Sequence, residues 1–419
     1  MRPARWTGLL PVAAAMGGLV AAAAWSIRDG WADYRMRQET VAGTEEAIAL
    51  TPDQSECYAR LAWLVSDHDP RRAKAALLRA VALNPWDTRS RIELGLLAEA
   101  EGDYATSRQH LLHAAEADHL FLPRWTLANY YFRRGDNAAF WFWVKQAAAM
   151  VYGDAQPLFR LCGRVAEDGN LIDRLQIHNP GVRAAYLYYL LGQNRVDLIG
   201  PAVHTLLAQN RESDAPLLKS ACERLLEARR VDEAAEVWNR QADAGRVPFR
   251  TPAADGDQLV ANGSFAEPPA SWGFDWRLPV VEGISLSRED ESRGLRITFS
   301  GRQPEECEAL FQLVPLRKHS LYEVKFGYRT KGVANAGGLA WRITDASGGA
   351  VLKEVAIAPS DADASGQLWF ETPEDCRLVR LALRYRRAPG TTRLEGFLVL
   401  GNVALKPAAQ PPIEGSRVR

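Results

Sequence analysis

Four arginines in the last third of the chain, Arg296, Arg342, Arg380 and Arg384, alternate with apolar neighbours. A planar guanidinium can grip a carboxylate or phosphate through two parallel hydrogen bonds. Four of them on outward strand faces of one sheet would form a basic stripe suited to an acidic glycan. Trp369 supplies an aromatic face on which the C–H side of a sugar ring can lie. On different sheets the same arginines are separately solvated and do no chemistry together.

Trp272, Phe274 and Trp276 are spaced by two. In an extended segment they share one face, so they are buried together or exposed together. Three adjacent exposed aromatics are a liability without a ligand, and they are read as plugs at a domain junction.

Other chemistry finds little support. No Gly-x-Ser-x-Gly elbow, phosphate-cradling Gly-Lys-Ser/Thr loop, dinucleotide fingerprint or His-Glu-x-x-His helix occurs. His110, His113 and His119 flank packed positions of a helical repeat and read as a solvated face, so no metal site and no enzyme are expected. A glycan-cleaving enzyme, which needs two facing carboxylates, stays a distant alternative because Glu305, Glu306, Asp361 and Asp363 fall in apparent loops. Lys plus Arg and Asp plus Glu both total 51, which removes long-range attraction to nucleic acid. The five cysteines are far apart, and only Cys307 and Cys376 could pair, as an alternative to two buried thiols.

The elements that carry these residues change period near Leu259. After it, Leu295, Ile297 and Phe299 alternate with Arg296 and Thr298, and Tyr322, Val324, Phe326 and Tyr328 alternate with Glu323, Lys325 and Arg329. Each strand then has one buried face, which predicts an antiparallel β-sandwich of jelly-roll type. Before it, apolar residues recur at helical spacing with a repeat near 34 residues. Leu94-Gly95, Ala98, Gly102-Asp103-Tyr104, Leu111 and Ala114 return as Leu127-Ala128, Tyr131, Gly135-Asp136-Asn137, Val144 and Ala147. About five helix pairs are predicted, with the consensus fading after residue 150.

Those positions resemble the tetratricopeptide repeat, an α-solenoid, and the resemblance implies a scaffold that holds a protein partner. Leu259–Phe265, Tyr322–Thr330, Ile343–Gly349 and Trp369–Leu405 resemble the opening, central, hairpin and closing strands of jelly-roll carbohydrate-binding modules of the galactose-binding-like group. The position that in such modules holds an Asp beside a structural calcium is here Asn402, a weaker neutral ligand, and no cofactor is expected. The whole order also resembles bacterial repeat proteins associated with exopolysaccharide or O-antigen export.

Trp6 to Ile27 is a run of 22 residues without charge. As a helix it is long enough to cross a bilayer, and Arg2 and Arg5 ahead of it place the N-terminus in the cytoplasm. The alternative is a signal peptide cleaved near Ala21–Ala24. The expected organisation is therefore a membrane segment (1–29), helical repeats (30–246), a linker (247–257), a jelly roll (258–407) and a disordered tail (408–419). Its place would be a bacterial inner membrane, with the bulk in the periplasm. The expected role is a non-catalytic scaffold with a protein partner on the repeats and a polysaccharide on the sandwich. A purely structural interaction subunit is the alternative.

Overall fold

The computed structural model describes residues 9–166, 170–252, 256–289, 294–333 and 338–409; the expected tail from 410 onward lies outside them. The chain divides into two compact units, Met1–Glu167 with Asp173–Ile177, and Asp168–Ile172 with His178–Arg419.

The first unit opens on α1 (Leu9–Met36), which runs through the expected boundary at residue 29. Its last turns bury Ala32 against Ala47 of α2 (Val41–Leu50) and Cys57 of α3 (Ser55–Val65). Among the described residues no helix is long and apolar enough to cross a membrane. The crossing expected over Trp6–Ile27 is thus not seen: seven alanines and two glycines dilute residues 9–27, and Trp6 to Gly8 lie outside the described residues.

Helical hairpins follow. α3 packs on α4 (Pro70–Leu83), α5 (Thr88–Ala100) on α6 (Tyr104–Ala117), and α7 (Phe121–Arg134) on α8 (Asn137–Ala149). The Gly-Asp pairs explain the turns. Gly102 and Gly135 take left-handed backbone (φ +83° and +70°), and Asp103 and Asp136 then cap α6 and α8 by accepting the Thr106 and Ala139 N–H groups at 3.0 Å. Small residues close the hairpins: a side chain at Gly95 would collide with Leu111. Arg133 binds Glu99, 34 residues earlier, at 2.7 and 2.9 Å, which ties one repeat to the next. Two shorter helices, α9 (Gln156–Val165) and α10 (Leu171–Leu175), come next.

The second unit holds the hairpins α11 (Pro180–Gly192) with α12 (Val196–Leu207) and α13 (Ala215–Glu227) with α14 (Val231–Asp243), followed, among the described residues, by nine strands. A five-stranded sheet has the order β1 (Ile284–Glu289), β2 (Gly294–Ser300), β9 (Glu395–Pro407), β4 (Leu321–Lys331), β7 (Ala364–Glu371). A four-stranded sheet has the order β3 (Glu306–Pro315), β8 (Leu378–Arg386), β5 (Leu339–Asp345), β6 (Val351–Ala356). Every described pairing is antiparallel, and the inward residues Ile297, Phe299, Val324, Phe326, Trp341, Leu381 and Leu400 share one core, as the alternation predicts.

The segment expected to open the sandwich is not a strand. Asn262 and Phe265 adopt positive φ, and only Leu259 N–H to Leu405 O (2.7 Å) and Val403 N–H to Gly263 O (2.8 Å) tie it beside β9. Nor does the expected linker separate helices from sandwich. Val247 is buried, Trp238 Nε1 donates to the Phe249 carbonyl at 2.9 Å, and Thr251 N–H donates to Asn239 Oδ1 at 2.7 Å.

Candidate functional site: a polar trough on the five-stranded sheet

The alternation of β4 sends Tyr322, Val324 and Phe326 into the core and leaves Glu323, Lys325 and Gly327 outward. On one side their register partners are Trp369, Gln367 and Ser365 of β7; on the other they are Lys406, Ala404 and Asn402 of β9. The result is a three-by-three patch on the outer face. Because Gly327, Ser365 and Ala404 are small, its middle is hollow: Lys325, Gly327, Ser365, Gln367 and Asn402 line a space of about 400 Å³. A side chain built on Gly327 would meet nothing closer than the Asn402 nitrogen at 4.0 Å, so the strand tolerates a larger residue there and the cavity exists because of the glycine. Glu323 closes one end, 3.2 Å from Lys325 and 3.8 Å from Lys406. Half-buried Trp369 stands beside it.

This arrangement offers an ammonium, two amides, a hydroxyl and an aromatic ring on a rigid sheet. Apart from Glu323 at one end, the described residues of the trough bring no carboxylate. Such groups can hydrogen-bond sugar hydroxyls and stack a pyranose. Asn402 faces this trough, not a cage of oxygen ligands, and no group of three or more His, Cys, Asp or Glu suited to a metal occurs among the described residues.

The predicted arginines divide. Arg342, Arg380 and Arg384 share the outer face of the four-stranded sheet, whereas Arg296 lies on β2 of the other, so the four-membered stripe does not form. The three that share a face are each matched by a carboxylate. Arg380 binds Glu308 (Nε to Oε2, 3.0 Å) and stacks 3.3 Å above Phe311; Arg342 binds Glu354; and Arg384 binds Glu306 and, at 3.4 Å, Glu354. Arg384 is only 4% exposed. Arg386 of β8 joins the same face and stands 3.7 Å from Glu306, so four guanidiniums meet three carboxylates there and most of the positive charge is matched, because strands β3 and β6 bring carboxylates to the rungs that β5 and β8 fill with guanidiniums. Arg296 and Arg329 share Glu289 at 2.6 Å each, and Arg296 also lies 4.1 Å over Phe397. Trp369 belongs to the trough and is separated from the three arginines.

The junction aromatics also divide. Ser271 and Gly273 take positive φ, so the segment turns and the single shared face is lost. Trp272 and Phe274 pack on Trp238 of α14, with ring centroids 4.7 and 6.1 Å away. Trp276 enters the sandwich core between Phe265 and Trp341, its indole N–H donating to the Asn262 carbonyl at 3.1 Å. Glu223 of α13 accepts from both Arg277 guanidinium nitrogens (2.7 and 3.0 Å) and from the Gly273 N–H (2.6 Å). Arg377 forks onto Asp232 of α14 at 2.9 and 3.0 Å. Buried Asp275 accepts from the N–H groups of Ala270 and Trp276, each at 2.7 Å; burial raises its pKa against the pull of those bonds.

Cys307 and Cys376 are unbridged. Cys307 pairs across from Tyr385 at one end of the β3–β8 ladder, while Cys376 precedes Leu378 at the other. Seven residues of strand, roughly 23 Å at 3.3 Å each, separate the two ends, far beyond disulfide reach.

The fold defines a helical-repeat protein that carries an antiparallel β-sandwich. No protein-family model matches the chain, and no curated protein matches it. Among solved structures it is similar to a module reported in "CBM4 structure and function" (12% identity, TM-score 0.29, 36% of this chain and 99% of that one). It is also similar to YrrB, a TPR protein with an unusual peptide-binding site (13%, TM-score 0.26, 49% and 93%). A third is pilF of Pseudomonas aeruginosa (15%, TM-score 0.28, 52% and 91%).

Proposed function

We propose that the chain is a non-catalytic scaffold whose repeats hold a protein partner and whose sandwich holds a polysaccharide in the trough around Gly327. The observation that carries the glycan half is the hollow left by Gly327, Ser365 and Ala404 in an otherwise ordinary sheet face, lined by Lys325, Gln367 and Asn402, with Trp369 beside Glu323 at one end. Its polar lining favours a sugar over an apolar ligand, and glycoside cleavage would need two facing carboxylates. The arginine face, where Glu306, Glu308 and Glu354 already occupy the guanidiniums, gives weaker support to an acidic glycan.

Attachment to a bacterial inner membrane, with the bulk periplasmic, belongs to the same proposal. It is supported by the charge-free run Trp6–Ile27 and by the exposure of Met16, Leu19, Val20, Trp25 and Ile27. The setting we propose is envelope polysaccharide assembly or export. The purely structural alternative is favoured by one observation, the packing of Trp272 and Phe274 on Trp238, which gives the sandwich a capping role at the last hairpin.

Affinity electrophoresis of the intact chain tests the proposal. Retardation in gels cast with a polysaccharide, reversed by Gly327→Trp, is the expected result. Unchanged migration in every neutral and acidic polysaccharide removes the glycan half and leaves the structural alternative.

A further inference from the structure

A cavity of about 640 Å³ in the first unit opens between α3 and α5 beside the end of α1. Among its lining residues is the half-exposed indole of Trp63 (53%), with the Arg60 guanidinium 5.5 Å from the ring centroid. Four carboxylates line it, from Glu39, Glu56, Asp87 and Glu93, against the guanidiniums of Arg60 and Arg89. Arg60 pairs with Glu39 at 3.5 Å and Arg89, 80% exposed, pairs loosely with Glu93 at 3.8 Å, so two bases among four acids leave an acidic surplus of two. Glu93 is the deepest of the pairable acids, two-thirds buried in its side chain, and burial holds its pKa above the ordinary carboxylate value.

We propose that this cavity takes a basic peptide segment, with one Arg or Lys directed at Glu93 and Glu56 and an adjacent apolar side chain laid on Trp63. The inference rests on the reading of the repeats as a partner-binding scaffold and adds the chemistry of the partner. A groove with two surplus negative charges attracts a cationic segment and repels an acidic one. The half-exposed indole supplies the apolar anchor, and a cation brought to the two-thirds-buried Glu93 gains a charge-assisted hydrogen bond in surroundings drier than bulk water. A pocket of this size lies within the range that encloses a few side chains.

Selection of random dodecapeptides displayed on phage, with the intact chain as bait, tests this. The expected binders carry Arg or Lys next to an aliphatic or aromatic residue. Their affinity should fall about tenfold or more in Glu93→Gln, and by a similar factor in Trp63→Ala, with thermal midpoints of both variants close to that of the parent. Binders that are acidic, or that ignore Glu93→Gln while losing affinity in Trp63→Ala, overturn the charge assignment and leave the partner-binding reading standing. Failure to select any peptide overturns both.

Discussion

Trp238→Ala is the substitution whose consequence the structure states most sharply. Trp238 is fully buried, carries Trp272 and Phe274 on its ring, and donates its indole N–H to the Phe249 carbonyl. Truncating a buried tryptophan costs about 3–5 kcal/mol, since the lost burial is joined by the cavity left behind. Here the Phe249 carbonyl loses its partner as well, which pushes the expected cost to the upper part of that range. In a body of 150–250 residues each kcal/mol moves the melting temperature by about 2–4 °C, so a fall of roughly 10 °C or more is expected in scanning calorimetry. Trp238→Phe keeps ring packing and loses the hydrogen bond, and should fall by about a third as much. Helical and sheet signals in circular dichroism should move together, since α13–α14 and the sandwich share this plug. A change below 1 kcal/mol, or sheet melting that stays at the parent temperature while helices melt earlier, would refute the reasoning.

Three further outcomes are expected. Asp275 is an acid whose folded-state pKa is raised by burial, so the folded chain holds its proton more tightly than the unfolded chain does. Its contribution is fully present below the ordinary value of 3.8 and is lost as pH rises through the raised one, and a urea-unfolding series across that window should show a flatter slope in Asp275→Asn. Cys376, unbridged and pushed up to about 11 by burial, should resist alkylation at pH 8 until the chain is unfolded, and titration in denaturant should then count five thiols. Glu223→Gln leaves the half-buried Arg277 without its charged partner and should cost roughly 1–3 kcal/mol in urea unfolding, without altering glycan retardation.

How much of this was legible in the sequence depends on the reach of the cause. Alternation placed Tyr322, Val324 and Phe326 inward and Glu323 and Lys325 outward, because a strand's side-chain period is local. The Gly-Asp turns were legible for the same reason: left-handed glycine and aspartate cap are set by adjacent residues. The trough was not, since it needs β7 and β9 on either side of β4, a neighbour relation that joins residues from positions 323, 369 and 406. The one signal pointing to it was a glycine at an outward position, Gly327. The arginine stripe failed on sheet membership and on partners: sequence shows Arg296 and Arg380 as alike, and only topology puts them on different sheets beside Glu289 and Glu308. Trp272 and Trp276 share one face only on an extended backbone, and the positive φ of Ser271 and Gly273 turns the chain between them.

One side-by-side glycan array decides whether the sandwich holds a glycan in the trough and not on the arginine face. The intact chain, Gly327→Trp and Arg342→Gln would be applied at equal concentration. Glycan signals that vanish in Gly327→Trp and persist in Arg342→Gln are the predicted result; signals that survive Gly327→Trp, or that fall with Arg342→Gln alone, would contradict it.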